Sequence, residues 1–221
     1  MPKLRVHNFA VSLDGYAAGP DQRVDNPLGV GGTRLHEWIF ATRFGRRMEG
    51  LDGGDEGLDN AVLERGDAGI GATIIGRNMF GPIRGHWEDE AWTGWWGDNP
   101  PYHHPVFVLT HHARAPVSMQ GGTTFHFVTD GIQAALERAF EAAEGKDVRL
   151  GGGVATIQQY LRARLIDELH LAIVPILLGR GERLFEHLDD STTDYVCVEH
   201  VCSPAVAHVR LARTAKAPTP S

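Results

Sequence analysis

Residues 147–177, "DVRLGGGVATIQQYLRARLIDELHLAIVPIL", place three glycines, Gly151 to Gly153, between an apolar run and a helix-like segment, with a second apolar run close behind. Strand, turn, helix and strand in that order suit a sheet whose strands run the same way, because the helix carries the chain back across it. The glycines are the unusual part. In a regular element each costs roughly 0.5–1 kcal/mol relative to alanine, so three in succession need a reason. Either main chain must approach an anionic ligand closely, with the next helix pointing its positive end at the charge, or the turn is simply tight.

Working outward, the same alternation continues. "TTFHFVT" reads as a strand, "GIQAALERAFEAAEG" as an amphipathic helix, and "DYVCVEHVCSP" with "AVAHVRLAR" as a closing antiparallel pair. Towards the amino terminus, "LRVHNFAVSLDG" is an opening buried strand ended by Asp14-Gly15. "LDNAVLERG" is a helix from about Asn60 that Gly66 stops, and "GATIIGR" and "PVFVLT" are further strands. The expected class is α/β, in three α/β/α layers, with a mostly parallel sheet and antiparallel carboxyl-terminal strands. One domain over residues 1–214 accounts for the pattern. Residues 215–221, "TAKAPTPS" from its second residue on, read as a disordered tail. Residues 19–57 form a long excursion of the kind used for lids and binding loops. It holds one helix, in "LHEWIFATRF", spaced by Leu35, Trp38, Ile39 and Phe44.

Of 221 residues, 42% are hydrophobic, enough for a real core, and 28 acidic residues outweigh 21 basic ones for a formal charge of −7. No basic block is present, which disfavours a nucleic-acid partner and leaves small molecules. No apolar run approaches the roughly 18 residues of a membrane span, and the first residues are too short and polar for a secretory signal. Cys197 and Cys202 are separated by an odd interval in a strand-like stretch, which points them to opposite faces and disfavours a disulfide. A cytoplasmic protein is the expectation.

In open α/β sheets, ligands bind beyond the carboxyl ends of the strands, and the unusual residues sit there. Besides the glycines, Gly76 ends a strand with Arg77 directly after it, and a guanidinium so placed can grip a phosphate through two bonds. The alternative is an ordinary surface arginine. Thr110, His111, His112 and Arg114 close another strand and offer donors for a second phosphate. His103-His104 and His111-His112 raise the question of metal, but adjacent histidines on extended chain face opposite ways and lack ligand spacing, so no metal site is expected. A pyrophosphate site plus a further phosphate site matches NADPH. Thr156 stands where a dinucleotide fingerprint would have its third glycine, which argues against a standard Rossmann domain.

Taken in order, "NFAVSLDGYAAG", "IIGRNMFG", "VFVLTHHAR", "LGGGVATIQQYL" and "DELHLAIVPILLGRGERLF" resemble the dihydrofolate reductase superfamily over nearly the whole chain. The chain is most similar to the reductase domain of bifunctional riboflavin-biosynthesis enzymes and their stand-alone relatives. The resemblance implies a dihydrofolate reductase-like fold, an NADPH-dependent oxidoreductase and a homodimer. It implies that Ala10 presents backbone to the nicotinamide carboxamide and that Gly76, Arg77, Asn78 and Met79 lie along the cofactor, Arg77 near the 2′-phosphate. Thr110, His111 and His112 would border that phosphate, and Gly151, Gly152, Gly153, Val154 and Ala155 would hold the pyrophosphate. For the catalytic acid of the folate enzymes the nearest candidate is Glu37, equally a surface glutamate on a helix. Asp14 is either a polar group near substrate or a turn residue bonding its own backbone. Trp38 either stacks on substrate or plugs the core. The expected reaction is hydride delivery to a C=N or C=O group of a pterin- or aminopyrimidine-like heterocycle or a small carbonyl compound. The rival is a catalytically silent nucleotide-binding protein of the same fold.

Overall fold

Hydrophobic alternation and helix punctuation place eleven strands in the computed structural model, which describes residues 1–81, 85–87, 91–186, 188 and 194–214. The expected tail at 215–221 lies outside the described residues. The strands are β1 (Leu4–Ser12), β2 (Tyr16–Ala18), β3 (Ile70–Gly76), β4 (Pro105–Leu109), β5 (Val117–Ser118), β6 (Thr124–Val128), β7 (Asp147–Gly152), β8 (Glu168–Val174), β9 (Glu182–Arg183), β10 (Tyr195–Cys202) and β11 (Ala207–Arg213). Nine form one sheet in the order β10, β11, β8, β1, β7, β3, β4, β6, β5. From β8 to β6 every neighbour pair is parallel. The carboxyl-terminal strands β11 and β10 add antiparallel at one edge, as expected, and the two-residue β5 adds antiparallel at the other. β2 and β9 pair apart as a small ribbon.

The helices are α1 (Glu37–Ala41), α2 (Arg43–Met48), α3 (Leu58–Asp67), α4 (Arg77–Phe80), α5 (Gly131–Ala142) and α6 (Val154–Arg162). α5 and α6 bury Ala135, Ala139, Ile157, Tyr160 and Leu161 against Leu4, Val6, Ile74, Val148 and Leu150. Across the sheet, Trp38, Phe44 and Leu63 of α1, α2 and α3, with Leu35, pack on Ala10, Ala172 and Val174. Beside them Phe80 meets Ile75, Val106, Val108 and Phe125 under Trp87, Trp92 and Trp96. Three layers result, and the second face is left with a trough between its two clusters.

The pairing of β1 with β8 is irregular at one point. Val6 pairs with Leu169 and Phe9 with Leu171, so two residues of β1, His7 and Asn8, stand opposite one of β8, His170. This is a β-bulge, and Asn8 takes a left-handed φ of 57° within it. In an unbroken strand positions 4, 6 and 10 would share a face. The bulge breaks that parity: Leu4 and Val6 point to the α5–α6 core, whereas Ala10 points to the other side.

The single helix expected within 19–57 is corrected to a 3-10 turn at Gly32–Leu35 followed by α1 and α2. Thr42 is extended (φ −80°, ψ 159°), and its hydroxyl accepts from the Gly45 N–H at 3.0 Å, capping α2 at the expense of continuity with α1. α3 begins two residues before the expected Asn60. The parity reading of the cysteines is also corrected, because the β10–β11 register shifts between Cys197 and Glu199. Both thiols are nonetheless free and exposed, held apart by roughly 3.3 Å of strand per intervening residue.

Candidate active site

β1 and β7 pair at Leu4–Val148 and Arg5–Arg149. Beyond that point the two strands are not paired, and Ala10 of one and Gly151 and Gly152 of the other line the same opening. It is the carboxyl end of adjacent parallel strands, where α/β sheets bind ligands. A cavity of about 990 Å³ fills the opening and continues along the trough on the second face. Its wall contains Ala10, Gly76, Arg77, Asn78, Met79, Thr110, His111, His112 and Gly151 through Ala155, which are all the residues expected to meet a cofactor. Asn78 is further tied to Gln22 of the 19–57 segment by a side-chain hydrogen bond, so that segment forms part of the wall.

The glycines divide by what they do. Gly152 has a φ of 132°, which side-chain-bearing residues rarely adopt. A Cβ on Gly76 would stand 2.3 Å from the Thr156 hydroxyl, so this glycine lets β3 and α6 close on each other. Gly153 differs. It caps α6 with an ordinary extended backbone (φ −78°, ψ −165°), and a Cβ there would meet nothing within 4 Å. The peptide bond that joins it to Gly152 is cis, and the position opens onto the cavity. Among the described residues, the N–H groups of Val154 and Ala155 reach no backbone carbonyl, as the first turn of a helix leaves them.

A cationic corner lies at the ends of β3 and β4. The Arg77 guanidinium stands 3.8 Å from the Trp87 ring centroid and donates to the Gly85 carbonyl at 2.5 Å. The Trp87 indole N–H donates to the His112 carbonyl at 2.8 Å, and the His86 and His112 rings are 4.4 Å apart. Burial, then the neighbouring His86, Arg77 and His111, hold the His112 imidazole below its usual pKa. Such crowding is what an incoming anion would relieve.

The wall along the trough includes His7, Arg149, Phe44, Leu63, Trp95 and Trp96. His7 is 4% exposed. Burial first, then His170, Arg5 and Arg149, push its pKa down to about 2, so the ring is neutral in ordinary buffers. Arg149 is opposed by Asp67 only at 3.9 Å. Among the described residues, the carboxylates on the wall are those of Glu49 and Glu182.

The RibD C-terminal domain family profile matches residues 2–209. The chain belongs to that reductase family. Two Bacillus subtilis (strain 168) proteins match over shorter stretches: YyaP, 36% identical over 59 residues, 27% of this chain and 31% of that protein, and YwjB, 27% identical over 66 residues, 30% and 37% respectively. The match thus spans about a third of each relative. Among solved structures, a Shewanella sp. PV-4 protein assigned to riboflavin biosynthesis superposes with a TM-score of 0.61 at 21% identity, covering 96% of this chain and 99% of that one. A pyrimidine reductase-like protein of Corynebacterium diphtheriae gives 0.52 at 16%, covering 97% and 93%. Dihydrofolate reductase of Enterococcus faecalis, complexed with NADP(H) and RAB-propyl, gives 0.51 at 14%, covering 96% and 97%. At these identities the structural likeness establishes the dihydrofolate reductase-like fold alone.

Three residues expected near the substrate of such a reductase lie elsewhere. Glu37 is exposed at the start of α1 and is not part of the cavity wall. Trp38 is 4% exposed, packed among Leu35, Phe44 and Val206 and edge-on to His208 at 5.3 Å. Asp14 holds a turn: its carboxylate accepts from the Ser12 hydroxyl at 2.5 Å and from the N–H groups of Leu178 and Gly179 at 3.1 and 2.7 Å. The Ser12 bond first, then the two amides, lower its pKa to about 2. Residues not foreseen from sequence are His7, Arg149, Glu49 and Glu182. Arg149 had a legible signal, since in "DVRLGG" it shares strand parity with Gly151.

Proposed function

We propose that the protein is an NADPH-dependent reductase acting in the cytoplasm on a C=N or C=O group of a flat heterocycle. The observation that carries this reading is one cavity whose wall joins the Gly151–Ala155 main chain at the start of α6 to the Arg77 corner at the end of β3. Main chain bared at a helix N-terminus suits a pyrophosphate. Gly151 through Ala155 would hold it, while Arg77, with Thr110, His111 and His112, would receive the 2′-phosphate through charge-assisted bonds. The backbone at Ala10 would orient the nicotinamide carboxamide, and Asn78 and Met79 would line the path between. When bound, the reduced nicotinamide supplies the hydride.

The chain's own part is placement. Trp95, Trp96 and Phe44 give the wall aromatic surface, which fits a planar ring, and His7 and Arg149 supply polar groups on the same wall. Glu49 and Glu182 take over from Glu37 and Asp14 as the candidates for proton supply, because they border the cavity. A homodimer belongs to the same reading and is testable by sedimentation. The deciding experiment monitors protein-bound NADPH by fluorescence and absorbance against a panel of pterins, aminopyrimidines, quinones and ketones. Oxidation with one class supports the reading. Binding without oxidation across the panel favours the silent nucleotide-binding protein, and no binding removes both.

A further inference from the structure

We propose that His170, His208 and Asp59 are positioning residues for the candidate active site, a buried hydrogen-bonded chain that holds the bulge in β1 and thereby turns Ala10 towards the cavity. The chain starts inside the bulge. The backbone N–H of Asn8, displaced from the β1–β8 ladder, donates to Nδ1 of His170 at 3.0 Å. His170 Nε2 lies 3.1 Å from His208 Nδ1, and His208 Nε2 lies 3.0 Å from Asp59 Oδ1. The Ser203 hydroxyl donates to the other carboxylate oxygen at 2.8 Å. Both imidazoles are 2% exposed.

The direction of the chain follows from its first link. A peptide N–H can only donate, so His170 Nδ1 is an acceptor and its proton sits on Nε2. That proton requires His208 Nδ1 to accept, which puts the second proton on Nε2, pointing at the Asp59 carboxylate. Every link is satisfied with two neutral rings and one anion, and the anion polarises the whole series towards itself. Asp59 stands in the first turn of α3, where a carboxylate is also favoured by the helix.

An apolar side chain in place of His170 would fill the volume but leave the part-buried Asn8 N–H without its acceptor, which costs stability. The strand could escape that cost by slipping one residue into regular pairing. Slippage would send residue 10 to the same side as Leu4 and Val6, away from the cavity. The network therefore protects a parity, and that parity sets which side of the sheet Ala10 takes. It does not conduct protons, since it ends on an amide that does not give its hydrogen up during turnover. Its kinetic consequence rests on the reductase reading; its geometry does not.

Hydrogen-bond scalar couplings in isotope-labelled protein at neutral pH test the chain directly. Couplings are expected between Asn8 N and His170 Nδ1 and between His170 Nε2 and His208 Nδ1, with both rings protonated on Nε2 alone. Opposite tautomers, or a doubly protonated ring, overturn the proposal. In kinetics, His170→Gln retains an acceptor and a donor on one planar group and should keep kcat within about threefold. His170→Leu should lower kcat per folded molecule about ten- to hundredfold, the scale of a misplacement near one ångström, and more than it raises KM. Equal kcat in the His170→Leu and wild-type proteins overturns the positioning role, as does equal loss in both variants. Should His170→Leu not fold, His208→Leu takes its place, with a smaller fall in kcat expected and an unchanged kcat counting against the proposal. Wild-type protein that shows both couplings yet oxidises NADPH with no substrate overturns the reductase reading alone. The positioning role is then read from NADPH affinity, expected to drop for His170→Leu and to persist for His170→Gln.

Discussion

Gly153→Ala separates a glycine kept for a ligand from one kept for a turn. The φ of −78° and ψ of −165° are open to alanine, and beyond residues 152 and 154 its Cβ has no neighbour within 4 Å. Replacing glycine where the backbone tolerates it stabilises by about 0.4–1 kcal/mol through the unfolded chain. Alanine is a poorer N-cap than glycine, which offsets a similar amount. The net change in stability should be under about 1 kcal/mol, a Tm shift of roughly 2–4 °C at most for a chain of this size. Binding behaves otherwise. The methyl group would stand between the amides at the start of α6 and a pyrophosphate, removing one charge-assisted hydrogen bond or more at about 1.5–3 kcal/mol each. NADPH should bind at least about tenfold more weakly, and about a hundredfold at the upper end of that range. Fluorescence titration with NADPH beside a thermal melt of the same preparation makes the measurement. A protein several degrees less stable with unchanged NADPH affinity would refute the reasoning, since it would mean that the turn, not the ligand, required the glycine.

Arg77→Ala should weaken NADPH roughly ten- to hundredfold while leaving NADH nearly unchanged, as loss of a bond worth about 1.5–3 kcal/mol to the 2′-phosphate requires; equal losses for both, in paired titrations, speak against that contact. Acid stability is the next test. Burial first lowers the pKa of His7 to about 2 and that of His170 to about 3, from an unfolded value of 6.5. Below the unfolded value the unfolded chain binds protons that the folded one refuses, so stability is complete above it and falls towards the folded values. The slope is about 1.4 kcal/mol per pH unit for each ring. Urea midpoints between neutrality and mild acid should fall accordingly, and His170→Gln should flatten the slope by about half; a midpoint independent of pH in that window contradicts the buried neutral rings.

Most of the architecture was legible because parallel strands buried on both faces are apolar throughout and the helices between them are periodic, as in residues 131–164. The glycine-lined side of the cavity was legible for a related reason. Close main-chain approach demands small residues at strand ends, and Gly76, Gly151, Gly152 and Gly153 advertise it. Three kinds of feature were not legible. Thr42 breaks a helical pattern through a side-chain cap whose competition with the helix depends on Asn60, which holds the Phe44 N–H at 2.7 Å. The bulge at His7 and Asn8 cannot be seen in "LRVHNFAVS", because its partner, His170, is 162 residues away from Asn8. Proximity in sequence to a suggestive motif also misled: Asp14 follows the first strand, but its carboxylate is consumed by the turn that its own loop makes with Leu178 and Gly179.

The two ends of the cavity are built by opposite means, and this has a consequence for specificity. The end lined by Ala10, Gly76 and Gly151–Gly153 exposes main chain rather than long side chains, which ties it to β1, β3, β7 and α6. The trough is made by side chains from separate segments, Phe44 of α2, Leu63 of α3 and Trp95 and Trp96 of the irregular stretch between α4 and β4. Residues of the second kind can change without disturbing the first. Trp95 is the cleanest probe, because it is half-buried and its ring contact among the described residues is with Trp92, edge-on at 4.8 Å. Trp95→Ala should leave NADPH affinity within about twofold and cost the substrate an aromatic contact of about 0.5–1.5 kcal/mol, a rise in KM of roughly two- to tenfold. A variant in which NADPH affinity collapses alongside substrate would mean that the tryptophan segment meets the coenzyme instead, and that the heterocycle lies against another part of the wall.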